Sequence, residues 1–202
     1  MRTGRPRSFD REQALEAAVD VFWEHGYDAT SIAMLTKALG IAAPSLYAAF
    51  GDKQTLFLEA LDRYLSSYGA FTKRALTEEP QARQAVERLL REAAAAYTRP
   101  DHPHGCLLIT ATTNCSPQSA ELAEHLRKLR AAGLRALESK LSIAARAGQL
   151  PEQTDTRALA RFYSAVLQGM SAQARDRATR TDLEHIAKNA LDAWPAHQKL
   201  SR

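Results

Sequence analysis

Residues 26–53 read GYDATSIAMLTKALGIAAPSLYAAFGDK, and what this stretch builds decides what the chain can be. Two short helical patterns flank Gly40: Ile32, Leu35 and Leu39 recur at three- and four-residue spacing before it, and Ile41, Leu46 and Phe50 recur after it. A glycine between two such patterns suits the tight turn of a helix-turn-helix, which presents its second helix outward. Helices this short have a core only if both stripes pack on the helix before them, whose own stripe is Ala14, Leu15, Ala18 and Phe22. Ala42, Ala43, Pro44, Ser45 and Ala48 are then left facing outward. A solvated helix face ordinarily carries Lys and Glu. Methyl groups there suit the close approach of another body, and in a DNA major groove they pack on thymine methyls.

The 202 residues carry a net charge of +4 and are 45% hydrophobic and 25% charged, an ordinary globular composition. The positive charge is not spread over the reading segment. Residues 1–55 hold six Lys/Arg against seven Asp/Glu, while Arg2, Arg5 and Arg7 sit in the first seven positions. Bulk electrostatics alone is therefore weak evidence for nucleic acid, and the motif has to carry the case. No apolar run approaches the roughly 18 residues of a membrane span, so no membrane partner is expected. Phe9 is followed by Asp10, Arg11 and Glu12 rather than by a signal-peptide apolar region, and two cysteines make no disulfide framework. These features predict a cytoplasmic protein.

The pattern predicts an all-α fold: an N-terminal arm and three-helix helix-turn-helix domain over residues 1–53, and a larger helical domain over 54–202. Asp10 and Gln13 open the first helix as a capping box, and Gly26 closes it. Thr30 is the expected N-cap of the second helix, Ala43 to Phe50 the third, and Asp52 to about Leu76 one long fourth. Further helices are expected over 81–97, from Cys106 to about Cys115, from Ser116-Pro117 to the residues before Gly148, over 155–178, and over 181–194 with Thr181 and Glu184 as a capping box.

The pairs Gly26-Tyr27, Thr30-Ser31, Gly40-Ile41 and Leu46-Tyr47, followed by Phe50 and Lys53, resemble at their spacings the TetR family of bacterial transcriptional regulators. The resemblance implies that Thr30 and Ser31 contact phosphate, that Tyr47 donates its hydroxyl to a phosphate, and that Lys53 reaches the DNA backbone. It implies base reading through Ala43, Pro44 and Ser45, with Ala42 where the family usually places a hydroxyl cap. Losing that cap removes about 1 kcal/mol and a donor, so operator choice is expected to lean on thymine methyls and DNA shape. In the arm, Gly4-Arg5-Pro6-Arg7 resembles minor-groove segments whose arginines enter a narrow A·T groove.

The same resemblance implies a homodimer on a double-stranded operator and a small-molecule effector. The dimer surface is expected on the last two helices, through Leu159, Val166, Met170, Leu183, Ile186, Leu191 and Trp194. Tyr97, Cys106, Leu107, Leu108, Thr110, Phe162, Tyr163 and Gln168 are candidates for the effector pocket. Repression relieved by effector, through a swing of the fourth helix, is the expected mode. Two alternatives stay open: a ligand-binding homologue with weak or lost DNA affinity, and an electrophile sensor through the Cys106 thiol. Cys106 and Cys115 lie about 13.5 Å apart along one continuous helix, too far for a disulfide. His102, His104 and Cys106 lack a fourth metal ligand, and no cofactor or metal is expected. His25, His125, His185 and His197 are scattered, and no catalytic motif accompanies them.

Overall fold

The computed structural model describes residues 10–111 and 116–196, and every regular element among them is helical. In chain order these are α1 (Arg11–Ala29), α2 (Ile32–Leu39), α3 (Ala43–Phe50), α4 (Lys53–Ser66), α5 (Phe71–Glu78), α6 (Ala82–Tyr97), α7 (Leu107–Thr110), α8 (Ala120–Arg146), α9 (Thr156–Arg175) and α10 (Arg180–Asp192). A 3₁₀ turn at Pro117–Ser119 precedes α8. The all-α fold with a helix-turn-helix head is thus as the sequence predicts; several helix ends are not.

Asp10 caps α1, accepting from the Glu12 and Gln13 amides at 2.9 and 3.2 Å. Gly26, at φ 75°, breaks α1 without ending it, and one more turn runs to Ala29. That break changes the cap of α2. Thr30 lies four residues beyond Gly26, and its hydroxyl donates to the Gly26 carbonyl at 2.6 Å. Ser31 caps α2 instead, accepting from the Met34 amide at 3.1 Å.

The single long fourth helix is two helices. The Ser66 and Ser67 hydroxyls turn back onto the Asp62 and Arg63 carbonyls, and the Gly69 amide closes on Tyr64 O at 2.8 Å. Side-chain bonds of this kind compete with the helix ladder. A β-carbon at Gly69 would lie 3.0 Å from the Tyr64 ring, so the break wraps tightly around that tyrosine. At α10 the capping box is Thr179 with Asp182, not Thr181 with Glu184. Both spacings fit, and the helix starts at the earlier pair; Leu183 and Ala187 turn inward. The apolar helix expected from Cys106 shrinks to α7, with Cys115 outside the described residues.

Two cores result. The head core joins Leu15, Val19, Phe22 and Trp23 of α1 to Leu35, Leu46 and Phe50, and takes in Leu56, Phe57, Leu61 and Tyr64 of α4. Leu107, Leu122 and Leu126, from α7 and α8, also belong to it. The C-terminal core packs α5, α6, α8, α9 and α10 around Leu89, Leu90, Leu141, Tyr163 and Met170.

The joint between the cores is polar and specific. Trp23 Nε1 donates to Gly105 O at 3.2 Å, and His102 stacks on the same indole. Arg175 of α9 donates to the Trp23 and Glu24 carbonyls at 3.4 and 3.3 Å, near the Gly26 break, and to Thr110 Oγ1 at 3.3 Å. Asp28 accepts from the Ser116 amide and the Ser119 hydroxyl, both at 2.5 Å. Burial pulls the Asp28 carboxyl upward, but bonds from Ser119 and Ser116, with Lys53 nearby, hold it below its ordinary value.

Candidate nucleic-acid interface

α2 and α3 meet at 90° across Gly40, which sits in the left-handed region at φ 66°. This turn sets the geometry of the site. Leu35 and Leu46 are fully buried on opposite sides of it, so each helix has its inner face fixed by one leucine. Phe50 closes the inner face of α3, with the Arg11 guanidinium 4.6 Å above its ring.

The outer face of α3 carries Ala42, Pro44, Ser45, Tyr47 and Ala48, all exposed, with Ala43 half-buried beside them. Tyr47 keeps 48% of its surface in water, high for an aromatic side chain with no partner to cover it. Ala42 is the N-cap residue and supplies no side-chain bond, and Pro44 in the first turn has no amide to offer. Ser31 is exposed at the start of α2, and its hydroxyl still has a lone pair beyond the bond from Met34. These residues form one short, uncharged, methyl-rich ridge.

Thr30 stands apart from this ridge. It is 1% exposed, and its hydroxyl proton is committed to Gly26, so its part is to brace the α1–α2 junction. Lys53 is half-buried, with its ammonium 4.3 Å over the Tyr27 ring. Burial lowers its pKa, and the attraction of Asp28 opposes that. Arg5 and Arg7 lie outside the described residues.

The candidate effector residues separate into groups. Tyr97 and Cys106 line a largely apolar cavity of about 370 Å³ between α4, α5, α6 and α8. The same two residues border an adjoining cavity of about 130 Å³ that reaches Gln168. Leu107 is instead buried in the head core, and Thr110 is held by Arg175. Tyr163 lies in the C-terminal core, donating to Ala190 O at 3.1 Å, and Phe162 is 41% exposed. Sequence reasoning missed Tyr64, Leu129 and Gly133 as cavity wall. Their only signal was the Ser66-Ser67 pair and Gly69, which break the fourth helix and open the space.

Of the expected dimer residues, Met170 and Leu183 have no exposed surface within the subunit. Leu159, Val166, Ile186, Leu191 and Trp194 are partly buried and pack against the C-terminal core. The exposed stripe of α9 is a different one: Ala158, Phe162, Ala165, Gly169 and Ala172.

Known proteins resemble this architecture and chain closely. Residues 14–60 match the family model for bacterial regulatory proteins of the tetR family, and residues 82–190 match the tetracyclin repressor-like C-terminal domain. The HTH-type transcriptional repressor ComR of Escherichia coli (strain K12) is 39% identical over 193 residues, covering 95% of this chain and 92% of its own. The HTH-type transcriptional repressor BdcR of the same organism is 34% identical, over 86% of this chain and 83% of its own. A cysteine mutant of the regulator CifR, solved with 26-bp double-strand operator DNA, superposes with a TM-score of 0.89 at 43% identity, covering 95% of this chain and all of that one.

Proposed function

Because the chain belongs to the TetR family of bacterial regulatory proteins, we propose that it works as a homodimeric repressor on a near-palindromic operator, released when a small molecule fills its C-terminal domain. It is a DNA-binding transcriptional regulator, not an enzyme. Its place of action is then the cytoplasm, where the chromosome lies.

The observation that carries the DNA reading is the outer face of α3. Its inner leucine and phenylalanine are buried, its outer side chains are small, and it stands at 90° to α2. Such a helix enters a major groove with methyl groups toward the bases. Ala42, Ala43, Pro44 and Ser45 then face base edges, and Ser31 and Tyr47 reach phosphates on either side. Lys53 reaches a phosphate by leaving the Tyr27 ring, and Arg5 and Arg7 follow the minor groove. Thr30 contributes by holding Ser31 in place. Residues 1–53 carry the DNA contacts and 54–202 the pairing and sensing; α4 begins at this boundary and packs in the head core.

One head covers one half-site, and two heads about 34 Å apart cover successive grooves on one side of the duplex. The relative CifR was solved on 26 bp of operator, more than two turns of about 10.5 bp. Pairing through α9 is supported by its outer stripe, whose members alternate four and three residues apart like a helix–helix seam. Leu159, Val166, Ile186, Leu191 and Trp194 would flank that seam, with Met170 and Leu183 supporting it from beneath.

The thiol-sensor alternative gains little. Burial pushes the Cys106 thiol up, against hydrogen bonds from Tyr64 and Tyr97 that pull it down, which keeps it protonated and weakly nucleophilic. Selection of bound sequences from a random DNA pool tests the repressor reading. The expected result is an enriched palindrome occupied by two protomers; an unenriched pool would favour a ligand-binding homologue without DNA affinity.

A further inference from the structure

α1 is broken at Gly26, which sits at φ 75° and ψ −177°. Carbonyls in the turn ahead of such a break lose their i+4 amides and need donors from elsewhere. Two carbonyls of that turn, Trp23 O and Glu24 O, accept from Nη1 and Nη2 of Arg175 at 3.4 and 3.3 Å. Nη1 also donates to Thr110 Oγ1 at 3.3 Å. A cation suits the negative end of the broken helix segment, and the planar fork meets two neighbouring carbonyls at once, which a single ammonium does not. Bonds this long are individually weak, which suits an adjustable tie better than a brace.

Arg175 is the last residue of α9, the helix whose outer stripe is read above as the pairing seam. Its guanidinium therefore runs directly from the helix that meets a second copy to the helix on which the head is built. The same turn of α9 holds the loop ahead of α7. Ser171 Oγ accepts from the Cys106 amide at 2.9 Å. Gly105, at φ 83°, passes so close that a β-carbon there would lie 2.9 Å from Ser171 O and 3.0 Å from Arg175 Cγ, and its carbonyl accepts from the Trp23 indole. Head, loop and α9 thus converge on Arg175.

We propose that Arg175 is a positioning residue for operator recognition: it sets the angle of each head on the paired body, and with it the half-site spacing that the dimer accepts. This rests on the homodimer reading above and assigns its geometry to one side chain. The three partners of Arg175 lie on α1 and α7, not on α2 or α3, so its loss loosens the aim of the head and leaves the head's own DNA contacts in place.

The test uses the full-length protein with the palindrome selected above, the same palindrome with one or two base pairs inserted at its centre, and a duplex holding a single half-site. Each added pair moves the half-sites about 3.4 Å apart and turns them by about 34°. Fluorescence anisotropy is expected to show the unaltered protein binding the lengthened operators at least about tenfold more weakly than the parent. Arg175→Gln should cut that ratio to about threefold or less, two loosely aimed heads still being joined in one molecule, while binding the single half-site as before. Arg175→Lys keeps the charge but not the fork and should fall between the two. Thr110→Val removes one of the three bonds and should shift the ratio the same way by less. Melting temperatures should stay within about 4 °C, the worth of roughly one net hydrogen bond in a chain of this length. An unchanged ratio in Arg175→Gln overturns the proposal, as does an unaltered protein indifferent to spacing. Half-site binding lost together with discrimination would make Arg175 a support of the head's fold and overturn it equally. Stoichiometry keeps the two readings apart. One protomer on the parent operator sinks the pairing reading and this inference with it; two protomers, with Arg175→Gln still discriminating, sink the assignment of Arg175 alone.

Discussion

The head and the C-terminal domain use alanine in opposite ways. On α3 the small residues face out: Ala42 and Ala48 are exposed, while Leu46 and Phe50 fill the inside. On α6 they face in: Ala82, Ala85, Ala93 and Ala94 are buried between helices. Inside, a methyl lets two helices approach closely. Outside, it does nothing for the subunit and keeps nothing away, which is useful only if a partner comes. The outer stripe of α9, Ala158, Ala165 and Ala172 with Gly169, belongs with α3 in this respect. One surface suits a DNA groove and the other a second copy.

Substitutions at the two kinds of site should separate cleanly. The largest effect is expected for Gly169→Leu, where a β-carbon meets no other atom within 4 Å. The subunit should keep its helix content, while light scattering at micromolar concentration should show monomers and operator affinity should fall at least about a hundredfold, two linked heads having become one. A variant that still pairs would remove α9 from the seam. Next, Ala94→Leu overpacks the C-terminal core and should cost about 1–3 kcal/mol in chemical denaturation. Ala48→Leu, the same change on the outer face of α3, should leave stability within about 0.5 kcal/mol and weaken operator binding instead. Equal loss of stability in both would erase the distinction drawn here.

Smaller effects refine the outer face. Tyr47→Phe deletes only a hydroxyl and should weaken operator binding about fivefold per head, with no change in melting temperature. Replacing a contacted thymine by uracil removes one methyl, worth about 0.8 kcal/mol or a factor of about four. An operator indifferent to every such replacement would mean that the methyl groups of α3 serve no reading role.

The buried half of this comparison is plain in the sequence, because periodicity reports which residues turn inward. The stripes around Leu35 and Leu46 and the glycine between them are local signals, so the head could be read directly. Helix ends were harder, since they depend on which of two polar residues wins a backbone group. Thr30 lost the cap of α2 to Ser31 because Gly26, four residues away, freed a carbonyl for it. Thr179 with Asp182 takes the capping box of α10, two residues ahead of the equally spaced Thr181 and Glu184. The cavity was hardest of all. Tyr97 and Cys106 are recognisable as candidates, but Tyr64 and Gly133 border a space beside the break where α4 stops at Ser66 and α5 starts at Phe71. No spacing rule within one helix encodes a gap between two.

Tyr64 borders the cavity and meets the Trp23 indole edge-on, the ring centres 4.7 Å apart. The molecule therefore carries its own optical gauge. Anything that shifts the phenol alters the surroundings of the indole, so Trp23 emission should follow cavity filling without any attached dye, and Trp23→Phe would silence the signal while leaving Trp194 to report on α10.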